Sequence, residues 1–294
     1  MPVRLIMPGY LYSYHRFRET FERNIVKYAD MAATGRLNAM TAPFILRRLK
    51  RDVLSELPEK QESVIEIELE DKQKDVYAAH ALMFKESIKS LADDARGKIQ
   101  ILAFLTRLRQ LCCDPSLFLE NYAGNSAKLE AALDLVSSAV QNGHKVLLFS
   151  QFTSMLAIIG KRLSEEGIEF FLLQGDTKVE DRVGLVDAFN AGSTQVFLIS
   201  LKAGGTGLNL TGADIVIHYD PWWNLSVQNQ ATDRAHRIGQ KNVVSVYKLI
   251  LKNTIEEKIV TLQNRKKELF DSIIREGETD ITKMTKDEIL SLLE

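Results

Sequence analysis

Five short apolar runs most constrain what this chain can fold into: Val146–Ser150, Phe170–Gln174, Val196–Leu201, Ile215–Tyr219 and Val243–Leu249. Helical stretches separate most of them, notably Thr153–Glu166, Val179–Ala191 and Leu225–Ala235. Runs this short and this apolar suit strands buried on both faces, and their alternation with helices predicts a parallel sheet covered on both sides. Right-handed crossovers should connect the strands, and ligands should bind at the carboxyl ends, where the loops lie.

Upstream the texture differs. Residues Leu11 to Asn38 read as amphipathic helix, Pro43 breaks it, and the basic segment FILRRLKRD follows at 44–52. Ser63–Leu69 alternates apolar and acidic residues and reads as a strand. Asp71–Leu119 reads as helix throughout, with Gly97 inside it and Pro115 as its stop. Residues 120–127 look like a linker, and Thr254–Glu294 reads as helix with a break near Gly277.

Composition excludes several classes. The 294 residues carry 38 Lys plus Arg against 39 Asp plus Glu, so bulk charge does not drive nucleic-acid coating, although a local basic groove stays open. The two cysteines, Cys112 and Cys113, are adjacent, which disfavours a disulfide framework and a zinc site and suits two buried thiols. No His/Asp/Glu cluster has metal-ligand spacing, no GxSxG elbow is present, and no apolar run reaches membrane-spanning length.

The residues that suggest chemistry lie late in the chain. Gln230, Arg234 and Arg237 stand at i, i+4 and i+7, which on a continuous helix places all three on one stripe. Two guanidiniums and an amide make a poor core face and a good polyphosphate clamp, because arginine grips phosphate bidentately and stays charged. Asp233 and His236 lie between them. Ser200–Leu210, SLKAGGTGLNL, follows a strand directly. Gly204, Gly205 and Gly207 would let backbone approach a phosphate, with Ser200, Lys202 and Thr206 adding donors, though such turns also serve helix packing. The strand end carrying this loop is expected to face the same edge as the arginine helix. Asp220-Pro221 ends a buried strand, and Asn224 is a candidate N-cap. Of Trp222 and Trp223, one is expected to anchor the loop in the core and one to be exposed for a nucleic-acid strand. Gln151 ends the first strand, and Gln174-Gly175-Asp176-Thr177 the second with Arg182 after it. Both suit sequence-independent phosphate contact, yet both are also ordinary strand-to-helix turns. His218 reads as a satisfied core group.

Together these segments resemble the C-terminal half of the Swi/Snf-related superfamily-two DNA-translocating ATPases. QATDRAHRIGQ looks like the family's last helicase motif and SLKAGGTGLNL like the preceding one. LLFSQFTSML and LLQGDT resemble its earlier second-lobe motifs, LRQLCCDP the end of its second-lobe protrusion, and APFILRRLKRDVLSELPEK the stretch leaving the first lobe. The resemblance covers essentially the whole chain. It implies an α/β RecA-like fold plus an N-terminal helical protrusion region. The expected division is 1–70, tail of the first lobe and its protrusion; 71–126, helical protrusion of the second lobe; 127–253, second RecA-like lobe; and 254–294, bracing helices.

The resemblance further implies ATP, magnesium and double-stranded DNA. Arg234 and Arg237 would act as arginine fingers, with Gln230, Gly205, Gly207 and Asp233 lining the nucleotide cleft. Gln151, Gly175, Thr177, Lys202, Ala203, Gly204 and Trp223 would touch DNA. The partners would be a first RecA-like lobe and a protein at the helical protrusion, with no membrane. The setting would be cytoplasmic, at the nucleoid in a prokaryote, or nuclear in a eukaryote. The pattern departs from the family in places. The phosphate cradle GxxxxGK[ST] is missing, the nearest candidate being Gly97-Lys98-Ile99, and so is a DEAH-like motif. Both belong to the first lobe, so the chain is expected to begin after them and to be inactive alone. Leu225 replaces a usual proline. Asp176 replaces a usual serine, so its DNA contact is not carried over. A free-standing interaction module is the alternative, and a small-molecule transferase with a deep apolar pocket at the strand ends a remoter one.

Overall fold

In a computed structural model, the structure describes residues 7, 9–28, 30–44, 57–91, 94–203, 207–272 and 289–293. The chain divides into two compact units, one formed by 1–55 with 264–277 and the other by 56–263 with 278–294. In the first unit, α1 (Tyr14–Phe17) runs through a π-helical segment, Arg18–Glu22, into α2 (Arg23–Tyr28), and α3 (Met31–Thr41) follows. Asp30 breaks the helix expected over Leu11–Asn38: its carboxylate caps α3 by accepting from the amides of Ala32 and Ala33. Leu11, Phe17, Phe21, Ile25, Ala33 and Leu37 form this unit's core. Most of the FILRRLKRD segment lies outside the described residues.

The second unit is built on one six-stranded, all-parallel sheet in the order β1-β6-β5-β2-β4-β3. The strands are β1 (Lys60–Ile67), β2 (Val146–Ser150), β3 (Phe170–Leu173), β4 (Val196–Ser200), β5 (Ile215–His218) and β6 (Val244–Leu251). Every residue of β2, β4 and β5 is buried. Their side chains alternate between two cores, as a period of two requires. Leu148, Leu198 and Ile217 pack under α6 (Ala127–Gln141) and α7 (Thr153–Glu165). Leu147, Phe149, Phe197, Ile199 and Val216 pack under α8 (Val179–Ala191) and α9 (Leu225–Thr232). This is the expected α/β class, with helices on both faces. β1 lies inside the stretch 1–70, yet it pairs with β6 as an edge strand of this sheet, and its exposed face is guarded by charge.

Between β1 and α6 stand α4 (Asp71–Ser90) and α5 (Ala95–Cys113). They are two helices rather than the single stretch expected. Leu91 is extended, and Asp94 restarts the helix by accepting from the Gly97 amide at 2.7 Å. Phe84, Ile88, Leu105 and Leu108 from this pair form a third core with Ile255 and Ile259 of α10 (Ile255–Ser272). Most of 273–294 lies outside the described residues. Among those described, no helix is long and apolar enough to cross a membrane.

β2 is where the sheet's winding reverses. The chain leaves β2 for β3 and β4 on one side, then crosses to β5 and β6 on the other. The crevice at a topological switch point therefore opens beside the carboxyl ends of β2 and β5, at Ser150-Gln151 and Asp220-Pro221.

Candidate nucleotide and nucleic-acid sites

At the switch point one carboxylate organises three segments. Asp220 Oδ1 accepts from the Ser150 hydroxyl at 2.6 Å and from the Gln151 amide at 3.1 Å. Its Oδ2 accepts from Arg109 Nη2 at 3.1 Å. The pair is buried, with 3% of the arginine and 0% of the aspartate side chain exposed, and Arg109 Nη2 also donates to the Pro221 carbonyl at 2.6 Å. Arg109 Nη1 donates to Gln151 Oε1 at 2.8 Å. The guanidinium carbon lies 5.5 Å from the ring centroids of Phe152 and Trp222 and 5.6 Å from that of Trp223, a cation enclosed by aromatic rings. Burial pushes the Asp220 carboxyl up, and Arg109 and the Ser150 hydroxyl pull it down.

The turn after Asp220 is held from two further helices. The Trp222 amide donates to Gln228 Oε1 on α9 at 3.2 Å, and Gln263 Nε2 of α10 donates to the Trp222 carbonyl and to Gln228 Oε1. Both tryptophans are half-buried, not one buried and one exposed, because each presents a ring to the Arg109 cation. Asn224 caps α9 as expected, its Oδ1 accepting from the Ser226 amide at 2.9 Å.

The other strand ends present donors at the same edge. The Thr177 hydroxyl accepts from the Gln174 amide at 3.1 Å, and a hydroxyl that accepts can still donate its own proton. Arg182 braces this turn by donating to the carbonyls of Gly175 and Thr177, both at 2.9 Å. Gly175 and Lys202 are exposed, whereas Ala203 is buried with its amide on the Ser200 hydroxyl. Gly204, Gly205 and Thr206 lie outside the described residues. Gly207 is exposed with φ of +23°.

The arginines stand elsewhere. α9 ends at Thr232 with Asp233 as its cap, so Gln230, Arg234 and Arg237 do not share one helical stripe. In a continuing helix the Arg234 carbonyl would accept from residue 238. It accepts instead from the Leu210 amide at 2.9 Å, and the helix gives way to turns, the Arg234 and Ala235 amides donating three residues back to Ala231 and Thr232 and the His236 amide four back to Thr232. Gln240 Nε2 donates to the carbonyls of Ala235 and Ala213, while His236 Nε2 donates to the Pro58 carbonyl at 2.8 Å. Ala213 and Pro58 each lie two residues before a strand begins, β5 and β1 respectively. Arg234 and Arg237 therefore lie at the amino edge of the sheet, not at the carboxyl edge with the Gly-rich loop's strand end. His236 is turned to the Pro58 backbone. Gln230 and Arg237 are exposed; Asp233 and Arg234 are half-buried.

His218 is the satisfied core histidine expected, bonded through Nε2 to the Thr232 hydroxyl at 2.8 Å and stacked on Phe149 at 5.6 Å. Burial, with a smaller push from Lys248, lowers it to about 3, so it is neutral at pH 7. Cys112 and Cys113 are free and buried, and burial raises both thiols. No metal-holding cluster occurs among the described residues. Arg109 was not singled out by sequence reasoning. Nor was the buried ion pair of Lys128 and Glu256, which fastens α6 to α10 with both side chains 0% exposed.

Comparison with known proteins places this geometry. Residues 127–239 match the helicase conserved C-terminal domain, and residues 2–117 the SNF2-related domain. An uncharacterized ATP-dependent helicase of Mycoplasma pneumoniae is 40% identical over 98% of this chain, which spans 28% of that protein's length. The C-terminal domain of the Sulfolobus solfataricus SWI2/SNF2 ATPase is 31% identical with a TM-score of 0.66, over 80% of this chain and 99% of that one. The core of the same ATPase in complex with double-stranded DNA is 34% identical with a TM-score of 0.68, over 98% of this chain and 62% of that one. The chain belongs to the Swi/Snf-related superfamily-two ATPases, of whose RecA-like helicase core it is the C-terminal half.

Proposed function

We propose that this chain is the second motor lobe of an ATP-driven translocase or remodeller acting on double-stranded DNA. The observation that carries the reading is the division of polar groups between the two ends of α9. Gln151, Gly175, Thr177, Lys202 and Trp223, from the carboxyl-edge turns, would follow the DNA backbone, since amide, hydroxyl and ammonium donors contact phosphate without reading bases; Ala203 is buried with its amide on Ser200 and offers none, and Gly204 is carried only as the resemblance implies it. At the amino edge, Arg234 and Arg237 would reach the γ-phosphate as arginine fingers, with Gln230 and Asp233 beside them; Gly205 and Gly207 would line the cleft from the loop whose far end, at Leu210, bonds the Arg234 carbonyl. α9 is about 12 Å long at 1.5 Å per residue and would link the two.

The first RecA-like lobe would cradle the phosphates and hold magnesium. This chain's part would be charge at the far side of the nucleotide. Residues 71–126 are read as the protrusion of this lobe, 127–253 as the lobe itself and 254–294 as its brace, with 1–70 leading from the first lobe. Exposed Leu82, Met83 and Ile99 on α4 and α5 suit a protein partner at the protrusion. The setting would be wherever DNA is, at a nucleoid or in a nucleus. The test is phosphate release from ATP by the isolated chain, with and without duplex. No turnover is expected, with turnover appearing once the first lobe is supplied. DNA-stimulated turnover by the isolated chain would contradict the shared-site reading.

A further inference from the structure

Gln151 is fixed at both ends by one buried ion pair. Its amide N–H sits on Asp220 Oδ1, and its side-chain oxygen receives Arg109 Nη1 at 2.8 Å. A guanidinium has donors only, so it admits the oxygen of the Gln151 amide and rejects the nitrogen. Nε2 must then point away, and among the described residues it has no hydrogen-bond partner. Gln151 is half-buried at the carboxyl end of β2, so this nitrogen is what the switch-point crevice presents to a ligand. A freely turning amide would offer oxygen about as often as nitrogen, and oxygen repels phosphate.

Arg109 is poorly used if stability alone chose it. Its Nε is buried without a partner, a cost that an apolar side chain would avoid. The same cation sits against Trp222 and Trp223 and bonds Pro221, so α5 holds both turns that flank the crevice from one point. We propose that Arg109 is a positioning residue for DNA: it locks the Gln151 amide so that Nε2 donates to a backbone phosphate. The proposal rests on the reading of the carboxyl edge as the DNA-binding edge.

The test is binding of this chain to several unrelated duplexes across a salt series. Gln151→Ala should weaken binding on every sequence, by about tenfold, and leave the log–log salt slope nearly unchanged, because a neutral amide releases no counterion. Arg109→Lys keeps the charge beside Asp220 but loses the fork that reaches two acceptors. It should weaken binding by a similar factor, and should add nothing in the Gln151→Ala background. A role confined to packing would weaken both backgrounds equally and would overturn the proposal, as would Arg109→Lys binding like the parent. Gln151→Glu covers the case in which Arg109→Lys fails to fold. It keeps a carboxylate oxygen on Arg109 and turns the other outward, so it should melt like the parent and bind less well than Gln151→Ala. Binding equal to the parent would overturn the proposal. A parent chain with no salt-dependent duplex binding would instead remove the DNA-edge reading beneath it.

Discussion

His218 makes the stability of this lobe depend on pH, with a sign set by its burial. The imidazole is held neutral down to about 3, against an ordinary value of 6.5. Above 6.5 it is neutral in both folded and unfolded chains, and its contribution is complete. Between 6.5 and 3 the unfolded chain takes up a proton that the folded chain refuses, so stability is lost as pH falls. The loss approaches about 1.4 kcal/mol per pH unit and about 5 kcal/mol over the interval, comparable to the whole stability of many domains. His218→Asn removes the titration together with the Thr232 bond and the Phe149 stack, so it should cost about 1–3 kcal/mol at pH 7.5. The parent's advantage should then shrink with acid, and the curves should meet roughly one to two units below 6.5. Urea unfolding at half-unit steps from pH 7.5 to 4.5 measures this, and the imidazole NMR shift of the folded parent should stay that of the neutral ring throughout. Parallel stability curves for parent and variant, or an imidazole that protonates near 6 in the folded state, would refute the reasoning.

Other outcomes follow from the same geometry. Glu256→Gln strands the Lys128 ammonium in the interior and should cost about 3–5 kcal/mol. The double substitution Lys128→Met, Glu256→Leu should recover most of that in chemical denaturation. Lys202→Ala should lower duplex affinity on every sequence alike and flatten its salt dependence, because an exposed ammonium acts on phosphate and not on bases. Trp223→Ala, assayed with the first lobe present, should spare most DNA affinity while reducing the stimulation of ATP turnover by DNA, because the tryptophan turn is bonded to the α9 side chain Gln228.

The sheet was legible because burial writes itself locally. β2, β4 and β5 are buried on both faces, so each appears as an uninterrupted apolar run, and their observed ends fall within a residue of those runs. Asn224 announced α9 for the same local reason. The helix end was not legible. α9 ends at Thr232, and just beyond it the Arg234 carbonyl is taken by the Leu210 amide; a pairing across 24 positions leaves no trace in spacing. The i, i+4, i+7 stripe therefore implied a geometry that the chain does not adopt, and put Arg234 and Arg237 on the wrong edge of the sheet. Arg109 was hidden too. It stands 111 positions from Asp220, inside a helix whose pattern called only for core, and the tryptophans' half-burial follows from that unseen cation.

The central claim is that the amino-edge arginines complete a nucleotide site made mostly by another lobe. Steady-state ATP turnover at saturating duplex tests it most directly, comparing Arg237→Ala with the parent in protein containing both lobes. Arginine fingers contribute about 10³–10⁵ in rate where they have been removed. The account predicts a fall in kcat of that order with a much smaller change in KM for ATP. A raised KM with kcat intact would contradict it, placing Arg237 in ground-state binding or outside the site.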